Sequence, residues 1–182
     1  MKTLQREERS ASEEERERLV KYTGWGASSL SNSLFPTKGQ PSDTWKSLRN
    51  DLDKLLTSDE LSTAQRSTQY AHYTSKSIID GIYQAIEGFG FESGLVLEGG
   101  MGTGHFAGLM PERFHTAYYG VEMDGISAQI AKALYPESNV IHADFTKIGF
   151  PENHFDMTIG NPPFSSTVIK SDPKYKDQGL MS

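Results

Sequence analysis

"LVLEGGMGTGHFAG", residues 95–108, decides the fold. A short apolar run ends in an acid, Glu98, four glycines follow at 99, 100, 102 and 104, and an apolar stretch then opens with helical character. Glycine permits turns and close ligand approach that side chains forbid, and a helix beginning after such a turn offers free N–H groups. Working outward, "AYYGVE" (117–122), "NVIHAD" (139–144) and "FDMTIGN" (155–161) repeat the strand pattern, while "GHFAGLM" (104–110) and "GISAQIAKALY" (125–135) lie between strands as helices. Short apolar runs alternating with helical ones predict an α/β domain with a parallel sheet of about four strands, whose ligand sits at the carboxyl ends of those strands. The four strand ends carry Glu98, Glu122, Asp144 and Asn161, so the scaffold aims all four at one crevice.

Upstream the pattern is helical. "YTSKSIIDGIYQAIEGFG" (73–90) places Ile78, Ile79, Ile82, Tyr83 and Ile86 on one face, started near Thr74 or Ser75 and stopped by Gly88 and Gly90. "PSDTWKSLRNDLDKLL" (41–56) has a stripe at Trp45, Leu48, Leu52, Leu55 and Leu56, with Ser42 or Asp43 as cap, and Thr57 with Glu60 has capping-box spacing for the next helix. Between 23 and 43, Gly, Ser and Pro predict loop, with Trp25 and Phe35 as anchors that dock it on the domain. "REERSASEEERERLVKY" (6–22) is a solvated charge run with a second capping box at Ser12 and Glu15. The expected organisation is a charged helical arm over 1–20, a helical leader over 21–71, a ligand-binding half-domain over 72–164 and a flexible tail over 165–182.

Composition narrows the function. There are no cysteines among the 182 residues, which excludes a disulfide framework and fits a cytoplasmic setting. Nothing resembles a signal peptide or a membrane span. His72, His105, His115, His142 and His154 lack metal-ligand spacing, so no metal is expected, and His105 alone is placed to line a pocket. A net charge of −6 gives no overall basic footprint for nucleic acid.

Two cofactors compete for the glycine loop. Gly102, Gly104 and Ala107 fit G-x-G-x-x-A, and Glu122 lies near the ~20-residue distance of a ribose-binding acid in dinucleotide sites. No Lys-Ser or Lys-Thr follows the last glycine, which argues against a P-loop. Three features favour S-adenosyl-L-methionine over NAD. Glu98 would repel a pyrophosphate but suits ammonium and sulfonium charge; Asp144 and Phe145 offer an acceptor and an apolar face to adenine; and "NPPF" (161–164) ends the fourth strand.

The ordered set "HYTSKSIIDGIY", "LEGGMGTG", "GVEMD", "HADF" and "GNPPF", over residues 72–164, resembles the amino-group DNA methyltransferases of the adenine-N6 class. "YTGWG" (22–26) and "STQYAHYTS" (67–75) also resemble the leader before the methylase module of large phage and mobile-element proteins that carry helicase-like domains. The resemblance implies a Rossmann-like S-adenosylmethionine-dependent methyltransferase fold with an N-terminal helical extension. Thr74, beside Tyr73, would meet the methionine carboxylate, and Glu98, Gly100, Met101, Gly102 and Gly104 would form the floor of the site. Glu122, followed by Met123, would bind the ribose, and Asp144 with Phe145 the adenine. Many relatives have Pro where this chain has Gly99.

Asn161 and Pro162 would accept the two hydrogens of an adenine amine whose lone pair is otherwise delocalised into the ring. Phe164 would stack on the flipped base, and Pro162 and Pro163 would keep the acceptors preorganised. "NPPF" also occurs in enzymes modifying guanine amines of RNA, and a close variant in those acting on protein glutamine. The same residues also admit an NAD-binding domain or a non-enzymatic docking module that binds the cofactor. Complete relatives continue with about three more strands and a target-recognition region. The expected partners are therefore DNA, the remaining half of the domain in cis or trans, and a second copy at the open sheet edge. The chain alone is expected to methylate poorly.

Overall fold

The computed structural model describes residues 1–7, 9–25, 33–36, 39, 41–68 and 73–162. Its elements run α1 (Lys2–Glu7), α2 (Glu13–Leu19), α3 (Asp43–Leu55), α4 (Ser58–Ser67), α5 (Lys76–Gly88), β1 (Ser93–Gly99), α6 (His105–Gly108), β2 (His115–Glu122), α7 (Gly125–Leu134), β3 (Asn139–His142) and β4 (Met157–Ile159).

All strand pairs are parallel, in the order β3-β2-β1-β4. Val96 is level with Tyr118 on one side and Met157 on the other, and Glu98 with Gly120 and Ile159. Strand order reverses at β1, so the crevice beyond its carboxyl end, between the loops after β1 and β4, is the topological switch point where open α/β sheets bind ligands.

The main core joins Ile79 and Tyr83 of α5 to Val96, Phe106, Phe114, Tyr118, Ala128, Ala131, Val140 and Ile159. The Tyr83 hydroxyl donates to the Phe106 carbonyl at 2.7 Å, fixing α5 to the short helix after the glycine loop. α5 ends as its glycines require: Gly90 takes φ 84°, and its N–H bonds back to the Glu87 carbonyl at 2.9 Å. The face is narrower than its spacing predicts, because Ile79 and Tyr83 are buried whereas Ile78 is 56% exposed.

The leader has its own small core of Leu34, Phe35 and Ala64, packed by Trp25, Trp45, Leu52 and Leu61. Leu48 and Leu55 of the predicted stripe face solvent. Ser12 with Glu15 and Thr57 with Glu60 both form their capping boxes. The first helices do not stand free of the rest: α2 and α4 both pack on α7, Leu4 and Ala11 are buried, and Lys2 pairs with Glu60. Among the described residues no helix is long and apolar enough to cross a membrane.

Candidate functional site

The loop after β1 is pinned at both ends. Gly100 and Met101 donate their N–H groups to the Val121 carbonyl at 2.8 and 3.1 Å, and Gly104 donates to Met101 at 2.9 Å. Gly100, Gly102 and Gly104 all have positive φ, at 70°, 57° and 87°, so the turn needs three residues without a side-chain penalty. A Cβ at Gly102 would stand 3.1 Å from the Tyr73 ring, and one at Gly104 would stand 2.7 Å from Tyr135.

This loop forms one wall of a cavity of about 550 Å³ at the carboxyl ends of the strands. Of the cofactor residues expected from sequence, Tyr73, Thr74, Glu98, Gly100, Met101, Gly102, Glu122, Met123, Asp144 and Phe145 line it. Gly104 is not in the lining and acts one step back, as the residue before α6. Asn161 and Pro162, which follow β4, line the same cavity. Pro163, Phe164 and His72 lie outside the described residues.

Each acid has a defined local role. Glu98 is 2% exposed and accepts the Tyr118 hydroxyl at 2.6 Å. Burial, opposed by that hydrogen bond, pushes its carboxyl up to about 8, so without a ligand it holds its proton at neutral pH. Glu122 braces the loop, since its two oxygens accept the N–H groups of Gly102 and Asp124, each at 2.7 Å. Burial raises its pKa against the backbone N–H groups of Asp124, Gly102 and Met123, which favour the ionised form. Asp144 caps the 3₁₀ turn Phe145–Lys147 by accepting from the Thr146 N–H and hydroxyl at 3.0 and 2.7 Å. Those bonds from Thr146, with Lys147 at 3.3 Å, hold it below the usual carboxylate range. Phe145 is 43% exposed, and its ring lies where a Cβ on Gly99 would come within 3.3 Å. Glycine at 99 leaves room for that ring.

Among the contributors not singled out as site residues from the sequence are Asp124, Ser127, Gly24 and Thr63. Asp124 is buried and caps α7, accepting from the N–H groups of Ile126 and Ser127 and from the Ser127 hydroxyl at 2.6 Å. Its signal was the Asp-Gly-Ile-Ser start of a helix. Ser127 itself, Gly24 and Thr63 also line the cavity, and for the last two no local pattern points there. Trp25, expected as a docking anchor, is also part of the lining. His105 lines the cavity as expected and lies against Tyr73 with centroids 4.7 Å apart and planes tilted by 38°; burial lowers its pKa, which favours the neutral ring. Among the described residues no group of His, Asp and Glu has the arrangement of a metal site.

The lining contains the acids Glu98, Glu122, Asp124 and Asp144 and, among the described residues, neither Lys nor Arg. Among the described residues a pyrophosphate would find no cation there. A ligand with positive charge, a diol and a flat ring has a match for each part, and the volume lies within the usual range for small-molecule sites.

Comparisons with known proteins agree. Residues 97–161 match a family described as a methyltransferase domain. Over 95 residues the chain is 32% identical to the "Defense against restriction protein B" of Escherichia phage P1, covering 51% of this chain and 4% of that protein. Over 126 residues it is 29% identical to the "Modification methylase CviBIII" of Paramecium bursaria Chlorella virus NC1A, covering 67% of this chain and 32% of that one. It thus spans less than a third of the length of each. Among solved structures, a "putative RNA methyltransferase" from Pyrococcus horikoshii aligns with a TM-score of 0.45 at 20% identity, covering 54% of this chain and 50% of that one. Sheet, loop and cavity together give this chain a Rossmann-like α/β fold, and the stretch from β1 to Asn161 is the part that resembles a methyltransferase domain.

Proposed function

We propose that this chain is the cofactor-binding segment of an S-adenosylmethionine-dependent methyltransferase that modifies the exocyclic N6 amine of adenine in DNA, acting in the cytoplasm of a bacterial or phage-infected cell. The observation that carries the reading is that Asn161 and Pro162 line the same cavity as Glu98, Glu122 and Asp144. Bound there, the cofactor supplies a methyl group on a positively charged sulfur, which needs no acid to activate it.

The chain's residues hold and orient. Glu98 compensates positive charge, Glu122 accepts from the ribose hydroxyls, and Asp144 with Phe145 receives the adenine. The Asn161 amide oxygen and the Pro162 carbonyl accept the two hydrogens of the target amine, which favours a pyramidal nitrogen with an available lone pair. Phe164 is proposed to stack on the extruded base. The likeness over 126 residues to a viral modification methylase supports the choice of DNA over RNA or protein. The chain's net charge of −6 makes phosphate binding the task of another segment or subunit. The flank of β4 away from β1, unpaired among the described residues, is where such a segment, or a second copy of this chain, would add to the sheet.

Labelled methyl transfer to duplex DNA, to RNA and to glutamine peptides tests the reading, using this chain and any longer polypeptide that carries it. Nucleoside mass spectrometry should find N6-methyladenine, with Asn161→Ala abolishing it while cofactor binding persists. Label in guanine or glutamine, or transfer indifferent to Asn161, refutes it.

A further inference from the structure

The two residues that lead into α5 reach the cavity without backbone support from the glycine loop. Tyr73 and Thr74 both line the cavity, and among the described residues no backbone hydrogen bond ties either to the loop at 99–105. Side chains make the connection instead. The Tyr73 ring lies on the loop at Gly102, where a Cβ would stand 3.1 Å from it, and against His105, with 4.7 Å between centroids and planes tilted by 38°.

His105 is fixed from behind. It follows Gly104, whose φ of 87° turns the chain into α6, and its own carbonyl accepts the Leu109 N–H at 3.1 Å. The next residue, Phe106, is buried and held through its carbonyl by the Tyr83 hydroxyl at 2.7 Å. The start of α6 therefore stands still while its first side chain reaches out. Burial lowers the pKa of the imidazole and the Thr74 backbone acts the other way, the sign of a carbonyl that accepts from a ring N–H. A neutral imidazole has one N–H to give and a ring face to pack, and here they go to adjacent residues, Thr74 and Tyr73. Packing alone would ask only for a ring at position 105.

We propose that His105 is a positioning residue for the cofactor: from the fixed start of α6 it holds the Tyr73–Thr74 segment against the glycine loop, so that this wall of the cavity is in place before the ligand arrives. The proposal rests on the reading that S-adenosyl-L-methionine occupies the cavity. A wall set in advance raises affinity because binding does not have to order it, and fixing the backbone of two residues is costly enough to register in Kd.

Calorimetry with S-adenosyl-L-methionine gives Kd for wild type, His105→Ala, His105→Gln, Tyr73→Ala and the double variant His105→Ala with Tyr73→Ala, alongside thermal unfolding of each. His105→Ala should weaken binding about tenfold, and His105→Gln, which keeps an N–H donor, should recover about threefold of that loss. The double variant should bind about as well as the weaker single variant, since a segment can be released only once. Unchanged affinity in His105→Ala, no recovery in His105→Gln, losses that add in the double variant, or affinities that simply follow thermal stability across the set each overturn the proposal. If the alanine variants fail to fold, NMR of the ring nitrogens in unliganded wild type decides the matter. There His105, identified by its absence in His105→Gln, should hold one neutral tautomer with its ring N–H protected from exchange, and mixed tautomers overturn the proposal. If wild type binds no S-adenosyl-L-methionine, the cofactor reading fails, whereas the ring measurement still tests the hold on Thr74, which separates the two ideas.

Discussion

Glu98→Gln is the most informative single change. The amide has the shape of the carboxylate and still accepts the Tyr118 hydroxyl, now 2.6 Å from Glu98, so packing is preserved and only the titration is removed. Burial lifts the folded-state pKa from 4.5 to about 8. The folded protein therefore keeps a proton that the unfolded chain releases. The stability this contributes is fully present below pH ~4.5 and is lost as pH rises toward ~8, at about 1.36 kcal/mol per pH unit. Between pH 5.5 and 7.5, wild type should lose about 2–3 kcal/mol relative to Glu98→Gln, a large share of a typical domain's 5–15 kcal/mol. Urea unfolding of both proteins at pH 5.5, 6.5 and 7.5 measures it, because every other titrating group except the neighbours of Glu98 cancels in the difference. A gap that stays constant across the window would show that Glu98 titrates as an exposed carboxyl, and the argument from burial would fail. Cofactor binding should reverse the bias, since positive charge beside Glu98 favours its ionised form. Calorimetry at pH 7 in two buffers of different ionisation enthalpy should then report proton release in wild type and none in the variant.

Three further changes test the framework around the site. Gly104→Ala forces a side chain into φ 87° and toward Tyr135 at 2.7 Å, and should cost about 1–3 kcal/mol with weaker cofactor binding; unchanged thermal unfolding would contradict the strain argument. Tyr83→Phe removes the donor to the Phe106 carbonyl and should cost about 1–2 kcal/mol in urea unfolding; an equal midpoint would mean that the carbonyl finds another partner. Asp124→Ala deletes the cap of α7 and should lower stability by about 1–2 kcal/mol, with Asp124→Asn recovering part of it. Equal losses for both substitutions would point away from capping.

Much of the site was readable because a parallel sheet ties local pattern to place. β3 and β4 fall within the apolar runs that predict them, β1 and β2 extend theirs by one or two residues, and a polar residue just after or at the end of such a run arrives at one crevice by construction. That reasoning reaches Glu98, Glu122, Asp144 and Asn161. It does not reach Glu98's partner Tyr118, which sits in the middle of an apolar run on the next strand, because cross-strand register is a long-range property. Nor does it separate Ile78 from Ile79, since which flank of an apolar helical face is covered depends on what packs against it.

By itself, then, the sequence determined the alternation of strand and helix, the glycine turn, the caps, and the chemistry offered at the strand ends, because all of these follow from φ/ψ preferences and periodicities within about a dozen residues. Only the tertiary structure decided the strand order that opens the switch point beside β1, the burial that keeps Glu98 protonated, and the return of Trp25 and Thr63 to the cavity wall. Those depend on which surfaces exclude water together, and no stretch of chain carries that information before it meets the others.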